Sequence, residues 1–206
     1  MTYSLNEIET LAKRAARGAG YDWGLCEEAG KAVRWLSARG MGGAQALWDL
    51  LRAKETGQVF APTEGLSVWA NPKGDLCPLI TGAGLCDFAP ATNMALQCVS
   101  SPLLLLPFAA RLAAQDGRCR KIKIRDFLAM TSGGEVWADG QPTKMSDVVI
   151  DIVPDVPDYT PVTPRERGEM SEDVFEALNA FAHRGFAPAT EESRLAGAGS
   201  GLSDND

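Results

Sequence analysis

Two glycine-rich segments hold the residues that are best suited, by type and spacing, to bind a small ligand. Residues 82–87 read Gly-Ala-Gly-Leu-Cys-Asp, and residues 197–204 read Gly-Ala-Gly-Ser-Gly-Leu-Ser-Asp. Glycines let backbone N–H groups approach a ligand closely, and successive N–H groups can form a concavity that binds anions. An aspartate at the end of such a loop can accept hydrogen bonds from hydroxyls or bind a hard cation. The pattern predicts a cleft where the two segments meet.

Arg194 precedes the second segment and adds a group that binds carboxylates or phosphates through two parallel hydrogen bonds. Simpler interpretations stay open, since the first segment can be a buried turn and the second a frayed acidic tail. Arg194 can also pair with Glu191 on its own turn. The predicted ligand contacts are Gly82, Gly84, Asp87, Arg194, Gly199, Gly201, Ser203 and Asp204.

The familiar cofactor signatures are missing from the sequence. Gly82-Ala-Gly84 lacks the third glycine of the Rossmann dinucleotide-binding fingerprint, and no Gly-Lys-Ser/Thr ends a P-loop. The five cysteines are widely spread and His183 is the single histidine, so no zinc site is indicated. We expect His183 to cap the end of a helix, where the helix dipole favours positive charge. The cofactor and the catalytic residues therefore stay unknown.

Composition excludes several classes of partner. The chain has 206 residues and a net charge of −7, and residues 147–206 hold 13 acidic but only four basic side chains. The basic residues 118–125 alternate with Ile122 and Ile124, which is typical of a strand with one wet face rather than a nucleic-acid surface. No apolar run approaches the roughly 20 residues of a membrane span, and no secretory signal opens the chain. We expect a cytoplasmic protein that binds neither nucleic acid nor membrane.

Residues 1–56 form a helical part. Ser4 and Glu7 have the spacing of a capping box, so the first helix is predicted to begin there and to end near Gly18. Asp22 is suited to cap a second helix that ends at Gly40. Apolar residues at helical spacing predict a third helix over about residues 44–53.

Residues 57–153 form a strand-rich part with frequent glycine, proline and asparagine. Leu76–Thr81 is predicted to be a strand that runs into a turn at Gly82–Gly84. Further strands are predicted at 94–99, 121–130, 135–138 and 148–153. Pro102 suits the first turn of a helix that covers 103–115 and ends at Gly117.

Residues 154–169 are a proline-rich connection, and residues 170–206 comprise a C-terminal helix, capped by Ser171, and a glycine-rich acidic tail. The sequence therefore predicts one domain over residues 1–206. Its fold class is α+β, with N-terminal helices, a mixed and largely antiparallel sheet with one internal helix, and a C-terminal helix after the proline-rich arm.

Several strings resemble a bacterial family known as domain of unknown function 3726, and the likeness covers nearly the full length. The resemblance implies a stand-alone bacterial cytoplasmic protein and assigns no catalytic residues. The strings are residues 4–9, residues 15–20, Trp23-Gly24 with Glu27-Glu28, residues 76–79 through to Asp87, and residues 188–206.

Two functions remain possible at this point. The first is binding or turnover of a small polar or anionic metabolite at a cleft formed by the two Gly-Ala-Gly segments. The alternative is a non-catalytic oligomeric or interaction protein whose C-terminal arm packs across a subunit interface. The two differ in whether residues 197–206 lie near residues 82–87.

Overall fold

The computed structural model describes residues 1–158 and 160–185 of the chain. Its helical part begins where the capping signals predict. The Ser4 hydroxyl accepts a hydrogen bond from the Glu7 N–H, and the Glu7 carboxylate accepts one from the Ser4 N–H. Asp22 accepts one from the Leu25 N–H. The three predicted helices are confirmed, and with the first strand they are β1 (Thr2–Ser4), α1 (Leu5–Gly18), α2 (Trp23–Ala38) and α3 (Gly43–Glu55).

One open, mixed sheet forms the second layer, which confirms the predicted α+β class. Its strands are β2 (Val59–Phe60), β3 (Val68–Trp69), β4 (Asp75–Leu76), β5 (Met94–Ser100), β6 (Cys119–Ile124), β7 (Phe127–Ser132), β8 (Glu135–Asp139) and β9 (Met145–Val153). Their order is β2-β4-β5-β9-β6-β7-β8, with β3 also pairing with β5. Strands β2 to β5 pair in parallel, whereas β5, β9, β6, β7 and β8 pair antiparallel.

The predicted strand at Leu76–Thr81 and the predicted turn at Gly82–Gly84 are wrong. Only Asp75–Leu76 is strand, and Pro78–Phe88 forms helix α4. Pro78 occupies the first turn of this helix, where no backbone donor is needed. Gly82 serves packing, because a Cβ at this position would overlap the ring of Phe108. The residues of α4 are themselves apolar or small on most faces of the helix, so its sequence lacks the one-sided apolar stripe that would predict a helix.

A nearly buried segment lies between the two layers. It consists of a 3₁₀ helix (Pro102–Leu105) and helix α5 (Leu106–Asp116), which ends at Gly117 as predicted. Helix α5 contacts α2 and α4 on one side and β6 and β7 on the other. Leu104, Leu106 and Phe108 are at most 1% exposed. The segment therefore belongs to the hydrophobic core and links the two layers.

An ion pair fixes the junction between α5 and β6. The Arg120 guanidinium, whose side chain is 1% exposed, donates two hydrogen bonds to the Asp116 carboxylate at 3.0 and 2.7 Å. Burial alone would raise the pKa of Asp116, but hydrogen bonds from the Arg120 side chain and the Arg118 backbone outweigh it. The pKa of Asp116 therefore lies below its usual range.

The end of the described chain returns to the first helix. Within the predicted proline-rich connection, Arg167–Glu169 forms a strand, β10, that pairs antiparallel with β1. Helix α6 (Glu172–His183) begins at the predicted Ser171 cap and packs against α1 and α3 of the same chain. No helix in the described ranges is both long and apolar enough to cross a bilayer.

We predict that Gly82→Ala destabilises the protein whereas Gly84→Ala does not. The new methyl group at position 82 overlaps Phe108, and overpacking of this kind costs about 1–3 kcal/mol. At position 84 the nearest side-chain atom, on Trp69, would lie 3.4 Å away, which is ordinary contact. Chemical denaturation of both variants tests this, and an unchanged stability for Gly82→Ala would contradict the packing role.

We also predict that Asp116→Ala lowers the free energy of unfolding by about 3 kcal/mol, because it leaves the buried Arg120 charge without its carboxylate. Arg118→Ala is the control, because Arg118 lies 4.0 Å from the same carboxylate, is 48% exposed and should contribute less than about 1 kcal/mol.

The same carboxylate should make stability depend on acidity. Because the pKa of Asp116 is lowered on folding, its contribution is complete above the ordinary aspartate value of about 3.9 and is lost below it. Urea denaturation between pH 5 and pH 2 should show a smaller loss of stability for Asp116→Ala than for the wild type. Equal losses would contradict this assignment.

Candidate functional site

The structure places the first predicted glycine segment inside a packed helix. Gly82 and Gly84 belong to α4, whose backbone N–H groups bond to carbonyls within the helix, and Asp87 is exposed near its end. The five other predicted contacts lie outside the described residues: Arg194, Gly199, Gly201, Ser203 and Asp204. The meeting of the two segments therefore stays a prediction.

A different cleft, of about 460 Å³, opens beside the first turn of α3. We call it the α3 cleft and define it by the residues that line it: Gly40, Met41, Gly42, Gln45, Ala46, Asp49, Ser101, Leu103, Phe127, Ala138, Gly140, Gln141, Pro142, Thr143, Lys144 and Val162. Its volume lies in the range of small-molecule sites, which is about 300–1,000 Å³. Met41, Leu103 and Phe127 give it an apolar wall, and a few polar groups lie among them.

Ser101 is the most unusual of these polar residues. It is 3% exposed, and its Oγ has no hydrogen-bond partner within the described structure. Its φ of 47° is left-handed, a conformation that costs energy for any residue except glycine. The Ser101 N–H donates to the Lys144 carbonyl at 2.7 Å and so ties the turn to the opposite wall. Buried orphan hydroxyls are rare in proteins, and one on a strained backbone in a cleft indicates a ligand site.

Asp49 and Lys144 supply a pair of charges. The Lys144 Nζ lies 3.0 Å from Asp49 Oδ1, and the Gln45 amide donates to Asp49 Oδ2 at 3.2 Å. The two side chains differ in exposure, since that of Asp49 is 13% exposed and that of Lys144 is 76% exposed. The carboxylate is therefore held in place on α3, while the ammonium group can move.

The first turn of α3 adds backbone donors. The helix begins at Gly43, whose N–H donates to the Met41 carbonyl at 2.6 Å. Gly42 supplies no side-chain cap, so the N–H groups of Ala44 and Gln45 lack a side-chain partner. The positive end of the helix dipole favours an anion at this place. Gly43 lets α3 start this close to α2, because a Cβ there would lie 2.8 Å from the Leu36 Cβ.

A second cleft, of about 360 Å³, lies on the other side of the charge pair. It shares Asp49, Ser101 and Lys144 with the α3 cleft and adds Arg52 and Asp75. Burial raises the pKa of the Asp75 carboxyl. Within the described ranges, no three histidine, cysteine or carboxylate side chains come together as a metal site.

Sequence reasoning missed this cleft for a physical reason. Its residues come from the start of α3, from the turn after β5, from β7 and β8, from the loop after β8 and from Val162, which are distant in the chain. The available signals were Gly40-Met-Gly-Gly43 before a helix and Ser100-Ser-Pro102 after a strand. Each was interpreted only as the boundary of an element.

The family comparison supports the resemblance noted in the sequence. The model of the family described as "Protein of unknown function (DUF3726)" matches residues 3–93. The resemblance to domain of unknown function 3726 is therefore confirmed over this segment, which contains α1 to α4 and one wall of the α3 cleft. No curated protein matches the chain.

Solved structures show where a similar fold occurs. A dehydrogenase from Sinorhizobium meliloti has a TM-score of 0.57 at 10% identity, with 88% of this chain and 99% of that chain covered. The sulfolactate dehydrogenase from Methanocaldococcus jannaschii has a TM-score of 0.55 at 7% identity, with 89% and 97% covered. At these identities the likeness concerns the fold alone. The chain spans 48% of the malate dehydrogenase from Entamoeba histolytica, at 14% identity, a TM-score of 0.48 and 67% coverage of this chain.

We predict that Ser101→Gly stabilises the ligand-free protein. The change removes a buried hydroxyl without a partner and relaxes a left-handed backbone. Arg125→Gly is the matched control, because Arg125 has a φ of 52° but is exposed, so this change relaxes the backbone alone. In chemical denaturation, the gain in the free energy of unfolding should be larger for Ser101→Gly than for Arg125→Gly by about 1 kcal/mol. A destabilised Ser101→Gly protein would show that the hydroxyl serves the fold.

Proposed function

We propose that the protein binds a small polar metabolite that carries a carboxylate or a similar anionic group in the α3 cleft. One observation carries the proposal: Ser101 lines a cleft of suitable volume with a buried hydroxyl that lacks a partner. A ligand oxygen would accept a hydrogen bond from this hydroxyl. Binding would also explain why the backbone at Ser101 is held in a strained conformation.

The other groups of the cleft are suited to the same ligand. Lys144 can move from Asp49 toward an anion, and the start of α3 offers backbone N–H groups and a favourable dipole. Charge-assisted hydrogen bonds of this kind are about twice as strong as neutral ones. Leu103 and Phe127 provide the apolar contact that the remainder of a small metabolite needs.

We place the ligand in this cleft rather than against Gly82 and Gly84, because packing against Phe108 explains Gly82 and both glycines lie within helix α4 rather than in a loop. The fold neighbours give limited support. Two structures of similar fold are described as dehydrogenases, and one of them is named for an anionic compound, sulfolactate. We carry over from them only the idea of a small anionic ligand.

We further propose that the protein works in the bacterial cytoplasm. The five cysteines are all free thiols. Free cysteines are normal in a reducing compartment, where disulfides rarely persist.

A thermal-shift screen tests the proposed ligand class. Small carboxylates, phosphates and neutral polyols are added to the full chain, since a ligand that binds only the folded state raises its melting temperature. We expect carboxylates to raise it, and Ser101→Ala to weaken their binding at least tenfold. Lys123→Gln, which removes an exposed lysine of β6 outside the cleft, should bind as the wild type does.

A shortened chain that ends at residue 196 separates this cleft from the predicted glycine-rich site. Binding should survive the deletion if the α3 cleft holds the ligand. Loss of binding on deletion, together with normal binding by Ser101→Ala, would favour the two Gly-Ala-Gly segments instead. Failure of every carboxylate to bind would contradict the proposal.

A further inference from the structure

The charges that line the α3 cleft are balanced. Asp49 and Lys144 are the formally charged residues among those that line it, one of each sign. The dipole at the start of α3 adds only a partial positive charge. The cleft thus offers a cation, a carboxylate and a hydroxyl rather than a purely positive surface.

The carboxylate is the fixed partner of the pair. Asp49 lies on a helix, is 13% exposed and is also held by the Gln45 amide. Lys144 follows a loop and is 76% exposed. If a ligand with negative charge alone draws Lys144 away, the largely buried carboxylate of Asp49 is left without a cation, which is unfavourable. A ligand that brings its own cation avoids this loss.

We infer that the ligand is a zwitterion of the α-amino acid type, an inference that rests on the proposed function. Its carboxylate accepts hydrogen bonds from the Ser101 hydroxyl, the Lys144 ammonium group and the first-turn N–H groups of α3. Its ammonium group replaces Lys144 at Asp49. A 2-hydroxy acid of the same shape offers only a neutral hydrogen bond to that carboxylate, and charge-assisted bonds are stronger.

Matched ligand pairs test this assignment. Binding of L-leucine is compared with binding of L-2-hydroxy-4-methylpentanoate, and L-phenylalanine with L-3-phenyllactate, by titration calorimetry on the full chain. We expect the amino acid to bind at least tenfold more tightly than its hydroxy acid. In Asp49→Asn, which keeps the shape but removes the charge, the preference should fall below threefold.

Two further variants make the result specific. Asp151→Asn breaks a pair of the same length, since Lys121 Nζ lies 3.0 Å from Asp151 Oδ2, but this pair lies outside the cleft and the preference should remain. Lys144→Gln should increase the preference. Both ligands lose the Lys144 ammonium group at their carboxylate, but only the amino acid brings a cation to Asp49, which this variant deprives of its ion-pair partner. If Asp49→Asn does not fold, Lys144→Gln alone tests the zwitterion assignment, and an unchanged or smaller preference in that variant would contradict it.

The outcomes separate this inference from the proposed function. If amino and hydroxy acids bind equally well and Ser101→Ala weakens both, the zwitterion assignment is wrong and the proposed function stands. A preference that survives in Asp49→Asn also overturns the assignment. If neither member of any pair binds, the assignment and the proposed function both fail.

Discussion

The burial of the segment from Pro102 to Asp116 between the helices and the sheet is the constraint on which the rest of the structure depends. Each layer buries part of its apolar face against this segment, because α2 and α4 contact α5 from one side and β6 and β7 from the other. The tight approach of α4 requires a glycine against Phe108. The positions of both ends of the segment are then fixed by packing. A buried polar residue lies beside each end, Ser101 just before the start and Arg120 just after the end.

The two polar residues are stabilised in opposite ways. Arg120 has a complete partner in Asp116, so its charge is compensated inside the chain. Ser101 has no partner for its hydroxyl and holds a left-handed backbone, where β5 passes directly into the 3₁₀ helix. The packing of the buried leucines that follow keeps this turn in place. The surrounding core therefore fixes a geometry that local energetics alone would not favour.

The elements that depend on neighbouring residues could be predicted from the sequence, whereas those that depend on residues far apart in the chain could not. The caps at Ser4, Asp22 and Ser171 depend on neighbours three residues away, and they placed α1, α2 and α6 correctly. Helix α4 was missed because it is apolar on most sides and has no stripe, and β10 because its partner is at the other end of the chain. The cleft depends on the φ of Ser101 and on segments that lie far apart in the chain, and no residue spacing reveals these.

The turn at Ser101 also has an evolutionary consequence. Mutation constantly offers alternatives at any position, and a residue that contributes nothing to folding is kept only while its function is selected. Under the proposed function, Ser101 is such a residue, because its hydroxyl has no partner among the described residues and its backbone is left-handed. A lineage that no longer needed the ligand would lose this serine before it lost the leucines beside it. Residue variation at this one position would then record how long each lineage has kept the site in use.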